Sequence, residues 1–157
     1  MKTKIITREG YQKLIAEHNR LWKEERPEIT IKVAWAASLG DRSDNADYQT
    51  NKQALRKIDK RIRFIEVTLR DIKVVDYDPQ QEGKAFFGAW VTLEDENGKE
   101  LKLRIVGPEE IYERNDYVSI DSPIARACIG KSVDDEIIVR APYSNDTWVI
   151  TLIQYSK

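Results

Sequence analysis

Three aspartates, Asp41, Asp44 and Asp47, lie close together in the segment LGDRSDNADY at residues 39–48. Carboxylates this close repel one another, and a hard divalent cation such as Mg²⁺ would relieve the repulsion. Mg²⁺ prefers six oxygen ligands in near-octahedral geometry, which two or three exposed carboxylates cannot supply. The segment therefore predicts part of a metal site whose other ligands come from elsewhere.

A simpler interpretation of the same acids is helix capping. Asp44, followed three residues later by Asp47, is close to a capping box for a helix that follows, and Gly40 would end the helix that precedes. Asp41 lies outside both helices and has no such role. The sequence leaves capping and metal binding open.

Basic residues follow the acidic segment. Residues 51–63 contain six basic side chains and one acid, Asp59, for a net charge of +5. Four of the basic residues lie on one helical face, and Lys57 and Arg61 widen it: Lys52, Arg56, Lys60 and Arg63. Such a face binds phosphates with an affinity that depends strongly on salt. Alternatively, it pairs with glutamates of the first helix: Glu17, Glu24, Glu25 and Glu28.

The element before the acidic segment is predicted to be a long helix. Thr7 is the expected N-cap, with Glu9 in the first turn, and Pro27 predicts a kink or short break near Glu25–Pro27. His18 is predicted to be a packed seam residue rather than a metal ligand. The apolar positions that follow helical spacing are Tyr11, Leu14, Leu21, Trp22, Ile29, Val33, Ala36 and Ala37.

The second helix carries a heptad pattern, in which seven of eight positions are apolar. These are Tyr48, Asn51, Leu55, Ile58, Ile62, Ile65, Leu69 and Ile72. Two helices of similar length joined by a short turn must fold back on each other, which predicts an antiparallel coiled coil with residues 38–45 at its tip. At 1.5 Å per residue, a helix of about 30 residues is about 45 Å long.

The periodicity changes to two after a Pro/Gly/Gln-rich linker at 76–84. Strands are predicted at FFGAWVTLED and ELKLRIV, joined by an Asn-Gly turn, and at YVSI, EIIVRA and TWVITLIQY. Ser122, Pro123 and Gly130 have the positions expected of the N-cap, first residue and terminator of a short helix. We predict an α+β chain divided into a coiled-coil domain at 1–75, the linker, and an antiparallel-sheet domain at 85–157.

Composition restricts the class of protein further. The 157 residues carry a net charge of −1, so no overall field points to nucleic acid or membrane. The single cysteine, Cys128, excludes an intramolecular disulfide. No apolar run approaches the length of a membrane span or the core of a signal peptide, and a cytoplasmic location is expected.

Several segments closely resemble the Gre family of bacterial transcript-cleavage factors, and its GreB branch in particular. They are WAASLGDRSDNADYQ, SIDSPIARACIGK, TREGYQKL, ERPE, VDYDPQQEGKAFFGAWV and RIVGPEEI. The resemblance runs nearly end to end. It implies an FKBP-like second domain and a monomer that binds RNA polymerase and inserts its coiled coil through the secondary channel. There it would stimulate the polymerase's own Mg²⁺-dependent cleavage of the backtracked RNA 3′ segment, as a protein cofactor rather than an enzyme.

The resemblance also assigns residues. Asp41 and Asp44 match the tip acids that share Mg²⁺ with polymerase, although Asp44 stands where the family has glutamate and is one methylene shorter. Asp121, Ser122 and Pro123 match the segment that contacts polymerase, on what we expect is an exposed edge. The basic residues that match the RNA-contacting patch are Lys52, Arg56, Lys60 and Arg63.

Two alternatives remain open. The shorter acid at Asp44 also fits a non-catalytic channel binder that modulates polymerase without promoting cleavage. A plain interaction module, whose acidic tip only caps a helix, would lack both metal and RNA contacts. Transcript shortening in a stalled, backtracked complex distinguishes these possibilities.

Overall fold

The computed structural model describes residues 2–40, 44–112, 114–140 and 145–156. The chain forms two compact units, one of them Tyr11–Ile72 and the other Met1–Gly10 together with Lys73–Lys157. This division differs from the predicted boundary after residue 75, because the beginning of the chain packs with the sheet rather than with the coiled coil. The physical reason is a short parallel strand pair, β1 (Ile5–Ile6) with β2 (Lys73–Val74).

The first long helical stretch consists of α1 (Arg8–Arg20), a π-helical turn (Leu21–Glu25) and α2 (Arg26–Ser38). The predicted N-cap is confirmed, since Thr7 Oγ1 accepts a hydrogen bond from the Gly10 amide at 3.1 Å. The expected break near Pro27 is a widened turn instead. Arg26 N–H donates to the Leu21 carbonyl, five residues back, just before the proline that has no N–H of its own.

The second long helix, α3 (Ala46–Asp71), uses the predicted seam. Two of the eight seam positions, Ile62 and Ile65, are buried, and the other six are half-buried. On the first stretch Leu14, Leu21 and Ala36 are buried, but Trp22 is 53% exposed, so its assignment to the seam was wrong. Leu21 occupies the seam at the π-turn, and the next residue points away from it, where Arg26 lies 5.5 Å from the indole ring.

Ion pairs between the helices show that the coiled coil is antiparallel. Arg61 Nε lies 2.7 Å from Glu17 Oε2, and Arg26 Nε lies 2.7 Å from Asp59 Oδ1. His18 is half-buried in the seam, with Nε2 3.9 Å from Glu66 Oε1. The predicted architecture of this unit is thus confirmed.

Asn45 organises the turn between the two helices. It is the N-cap of α3, its Oδ1 accepting from the Tyr48 amide at 3.1 Å. Its Nδ2 donates to the carbonyls of Ala36 at 2.9 Å and Gly40 at 2.7 Å. The interpretation of Asp44 as the cap was therefore wrong. A carboxylate can only accept hydrogen bonds when ionised, whereas an amide also donates to the carbonyls at the end of α2.

The second unit is built on a five-stranded sheet. Its strands are β3 (Trp90–Glu94), β4 (Glu100–Val106), β5 (Tyr117–Ser119), β6 (Glu136–Arg140) and β7 (Asn145–Gln154). They lie in the order β5-β4-β3-β7-β6. Helix α4 (Pro123–Cys128) lies where it was predicted, with Ser122 as its N-cap. The main core unites sheet residues with α4, as in Leu93, Ile105, Ile150, Ala125 and Cys128.

The sheet is mixed rather than purely antiparallel, which corrects one part of the predicted fold. The β3–β4 hairpin has the expected turn, with Gly98 at φ 81°. Strand β5, however, pairs with β4 in parallel. The connection between them is no hairpin, since it contains a 3₁₀ helix (Pro108–Glu110) that carries the chain back before β5 begins. Among the described residues, no helix is long and apolar enough to cross a membrane.

The assignment of Asn45 as the organiser of the tip can be tested by substitution. We expect Asn45→Ala to lower the free energy of unfolding of the coiled coil by about 1–2 kcal/mol, the usual cost of losing an N-cap. Asn45→Asp keeps the acceptor and loses the donors, so it should cost less. Urea denaturation followed by helical circular dichroism measures both. A larger loss in Asp44→Ala than in Asn45→Ala would restore Asp44 as the cap.

Candidate functional site

The acidic tip is only partly within the described residues. Asp41, the first of the two predicted metal ligands, lies outside them. Asp44 is exposed and directly precedes the N-cap of α3, and Asp47 is exposed in the first turn of that helix. The positive end of the helix dipole favours anions at both positions.

The described residues alone do not make a metal centre. No group of three or more His, Cys, Asp or Glu within them could hold an ion. The donor chemistry at Asp44 nevertheless suits Mg²⁺, which binds carboxylate oxygens and usually keeps several ligands from water or a partner. The residues fit a shared site, in which this chain contributes one or two carboxylates. The metal role of Asp41 and Asp44 stays a prediction.

Along α3, four cations form a surface that we call the basic stripe: Lys52, Arg56, Lys60 and Arg63. Lys52 is half-buried, with Nζ 5.2 Å from the centre of the Tyr48 ring. The other three are exposed. Among the described residues, no carboxylate lies within ion-pair distance of any of these three.

The sequence also allowed the basic residues of α3 to pair with glutamates of the first helix. Among the described residues, Arg61, which lies beside the stripe, forms such a pair. Arg61 donates from Nε and Nη2 to the two carboxylate oxygens of Glu17, at 2.7 and 2.9 Å. Two of the other proposed partners bind within their own helical stretch, Glu25 to Arg20 and Glu28 to Lys32. Asp59, the one acid of residues 51–63, forms an ion pair with Arg26 of α2. Within the part of the chain that the structure describes, no carboxylate therefore balances the three exposed cations of the stripe.

A third surface of the coiled coil was not predicted. Ile31 and Trp35 of α2 and its C-cap Leu39 are spaced four residues apart and are 70%, 57% and 54% exposed. They lie away from the seam, which uses Ile29, Val33 and Ala36. We call them the apolar stripe. Contiguous exposed apolar residues on a soluble protein usually mark a contact surface, and the sequence signal was present in their spacing.

The predicted docking segment has a structural role that the sequence did not indicate. Asp121 Oδ2 accepts from the Thr3 amide at 2.7 Å, and Oδ1 accepts from the Thr3 hydroxyl. These bonds hold the pKa of Asp121 below its ordinary value. Ser122 caps α4, and Pro123 is exposed at its first position. Thr3 is 118 residues away in sequence, and no local pattern connects it to Asp121.

Two further acids hold the same N-terminal segment. Glu110 accepts from the amide of Thr7 at 3.0 Å and of Gly107 at 2.7 Å. Lys2 Nζ lies 3.5 Å from Glu109 Oε1. Asp121, Glu109 and Glu110 are thus among the carboxylates that fasten the beginning of the chain to the sheet.

Comparison with known families accounts for both units. Residues 4–74 match the family model described as transcription elongation factor, N-terminal, and residues 80–155 match transcription elongation factor, GreA/GreB, C-term. The chain belongs to the GreA/GreB family of transcription elongation factors. Both family models describe transcription elongation factors.

Relatives in the family extend the match over the full chain. Transcription elongation factor GreB of Vibrio parahaemolyticus is 61% identical, covering 100% of this chain and 97% of the relative. GreB of Pseudomonas putida is 57% identical with the same coverage. GreB of Yersinia pestis is 51% identical over 98% of this chain and 90% of its own length.

Solved structures show weaker similarity. A GreA/GreB factor from Nitrosomonas europaea is 21% identical, with a TM-score of 0.43 over 68% of this chain and 93% of its own. Gfh1 of Thermus aquaticus is 24% identical, with a TM-score of 0.45 over 98% and 99%.

The pairing of Arg61 with Glu17, compared with the exposed Arg56 and Lys60, predicts how each cation affects the pKa of Glu17. Arg61 lowers the pKa of Glu17, chiefly by hydrogen bonding to it. Arg61→Gln should raise that pKa toward its ordinary value, whereas Arg56→Gln and Lys60→Gln should leave it unchanged. Because the folded pKa is the lower one, the stability from this pair is present at neutral pH and is lost as pH falls through that pKa.

Side-chain NMR titration of Glu17 in the three variants measures this effect. An equal rise in Arg56→Gln would show that the stripe also pairs with the first helix.

Proposed function

We propose that this family member stimulates RNA polymerase to cleave its own transcript after backtracking. The coiled coil enters the secondary channel of polymerase, and Asp41 and Asp44 at the tip join polymerase residues in holding Mg²⁺. The chain supplies ligands and positions them, and the catalytic centre belongs to polymerase. This goes further than the family membership, which supports a transcription elongation factor that interacts with polymerase.

The observation that carries the proposal is the position of Asn45. Because an amide closes the turn and caps α3, the aspartates beside it are not needed for that purpose. Carboxylates gathered on a narrow turn repel one another, and a divalent cation would offset that cost. When bound, Mg²⁺ stabilises the negative charge that develops on phosphodiester oxygens during hydrolysis.

The hydrogen bonds of Asn45 also account for how this chain would position Asp44. The three hydrogen bonds of the Asn45 side chain fix the end of α2 relative to the start of α3. Asp44 is bonded directly to this residue, so its backbone moves little with respect to either helix. Positional errors of about 1 Å can cost on the order of 10²-fold in rate, and the shorter side chain of Asp44 makes such control more important.

The basic stripe supports a role in holding extruded RNA. Its exposed members have no carboxylate partner within the described residues, so they are available for phosphates. At 1.5 Å per residue, Lys52 and Arg63 lie about 9 and 26 Å along α3 from its first residue. A strand extruded past the tip would reach the stripe only when it is several nucleotides long.

Two other surfaces support contact with a protein. The apolar stripe suits the wall of a protein channel because its three side chains are large, apolar and exposed. Lys32, which follows Ile31 in sequence, pairs with Glu28 at 3.4 Å. In the second unit, Asp121, Ser122 and Pro123 would contact polymerase at the rim of the channel. There Thr3 fixes the carboxylate of Asp121 before docking.

A transcript-cleavage assay on a stalled, backtracked complex tests the tip. We expect Asp41→Asn and Asp44→Asn each to reduce cleavage by at least tenfold while polymerase binding is retained, because each removes a charged ligand. Asp47→Asn is the matched control, since it neutralises an equally exposed acid of the first helical turn that is not a predicted ligand.

Two results would contradict the proposal. Normal cleavage by both ligand variants would remove the metal role. If instead the unmodified protein binds but shortens no transcripts, it is a non-catalytic channel binder, the possibility that the shorter Asp44 favours.

The role of the basic stripe predicts dependence on the depth of backtracking. Arg56→Gln with Lys60→Gln should depress cleavage of deeply backtracked complexes and spare those backtracked by two or three nucleotides. The salt dependence should also become flatter, since fewer phosphate contacts release fewer counterions. Arg70→Gln, which removes an exposed cation at the far end of α3, serves as the control. Equal effects at all depths would exclude RNA binding by the stripe.

A further inference from the structure

The unit that contains the sheet has a cavity of about 190 Å³ that none of the roles above uses. Three stretches of this unit line it: Thr7–Glu9, Val75–Tyr77, and sheet-domain residues that include Phe87 and Arg104. A dry cavity of about 150 Å³ is large enough to hold benzene. The cavity therefore suits a group about the size of one aromatic side chain, and it is too small for a drug-sized ligand.

Arg104 supplies the fixed charge of this cavity. Its side chain is only 12% exposed. Nε donates to the Gly88 carbonyl at 3.0 Å, and Nη1 donates to the Tyr117 hydroxyl at 3.2 Å. The guanidinium also lies 6.0 Å from the centre of the Trp90 ring. These contacts hold the group in one orientation, so that a ligand would meet a preorganised donor.

The pairing of Arg104 is incomplete. Its Nη2 lies 3.4 Å from Glu9 Oε2, well beyond the 2.7–2.9 Å typical of a charged hydrogen bond. Glu9 is itself 63% exposed. The other arginine of the cavity differs, because Arg8 binds both oxygens of Asp76 at 3.1 and 2.8 Å. The contact with Glu9 shows that Arg104 can bind a carboxylate. Because this contact is long, another carboxylate could replace that of Glu9.

Aromatic rings also line the cavity. Phe87 is buried, and the rings of Tyr77 and Tyr155 lie 5.3 Å apart. Their hydroxyls bond to groups that do not line the cavity: Tyr77 to Glu82 at 2.5 Å, and Tyr155 to the Lys84 carbonyl at 2.5 Å. The rings rather than the hydroxyls are thus what the cavity presents.

From this arrangement we infer that the cavity binds a carboxylate carried on an apolar or aromatic group, as an acidic or C-terminal residue of a partner polypeptide presents it. The ligand carboxylate replaces Glu9 on Arg104, and its apolar part packs against Phe87 and the two tyrosines. A phosphate dianion fits less well, because the lining already contains two carboxylates, Glu9 and Asp76, against two arginines. A ligand with one negative charge and an apolar group therefore suits this lining better than a dianion does.

The test is an NMR titration of the full chain without polymerase, so that its outcome is independent of transcript cleavage. The probe is 3-phenylpropionate, and the matched neutral control is 3-phenylpropionamide. We expect saturable shifts of the Arg104 Nε–H and the Gly88 amide with the carboxylate, and none with the amide. Inorganic phosphate at equal concentration should bind more weakly.

Two variants should change the affinity in opposite directions. Glu9→Gln removes the internal competitor and should tighten binding severalfold. Arg104→Gln should weaken it by about tenfold or more, the effect of losing a charged hydrogen bond. If Arg104→Gln does not fold, Arg104→Lys replaces it, since this variant keeps the charge but loses the planar set of guanidinium donors. Arg140→Gln is the control for the loss of one positive charge elsewhere on the chain. Equal shifts with the neutral amide, tighter binding of phosphate, or weaker binding by Glu9→Gln would each overturn the inference.

Discussion

The side chain of Asn45 is the interaction on which the arrangement of the coiled coil depends. One amide accepts from the first turn of α3 and donates to two carbonyls at the end of α2, so a single residue links the two helices at this turn. Its consequence for function is indirect. Since the amide does the capping, the neighbouring aspartates can serve another purpose at the same turn.

Packing further along the coiled coil depends on a second local feature, the π-helical turn of the first helical stretch. Ile62 and Ile65 of α3 meet a first helical stretch whose phase is adjusted by the π-turn at Leu21–Glu25, next to Pro27. The same adjustment leaves Leu21 inside and Trp22 outside. At the surface, acids and bases of the two helices pair across the seam where the geometry permits, and the basic stripe lies where it does not. Helix packing thus determines which cations of α3 pair with acids of the first helical stretch, such as Arg61 with Glu17, and which do not.

Much of this could be predicted from sequence, because the signals were local and periodic. The heptad positions of α3, the Thr7 cap, the Asn-Gly hairpin and the Ser122–Pro123 helix start each depend on residues within a few positions of one another. What was missed depends on contacts distant in sequence. Thr3 binds Asp121, β1 pairs with β2, and β5 joins β4 in parallel. Asn45 was missed for a different reason, since two acids beside it offered a plausible cap and its donor role needed the position of Ala36.

The most direct test of the central claim asks where the tip lies when the protein is bound. Fe²⁺ can replace Mg²⁺ in the catalytic centre of a backtracked polymerase complex, and the hydroxyl radicals that it generates cut polypeptide within a short distance. With this protein bound and labelled at one end, we expect cuts concentrated at residues 38–47 and absent from the sheet of the second unit. Cuts in that sheet, or none at the tip while the protein remains bound, would contradict the placement of Asp41 and Asp44 at the catalytic metal.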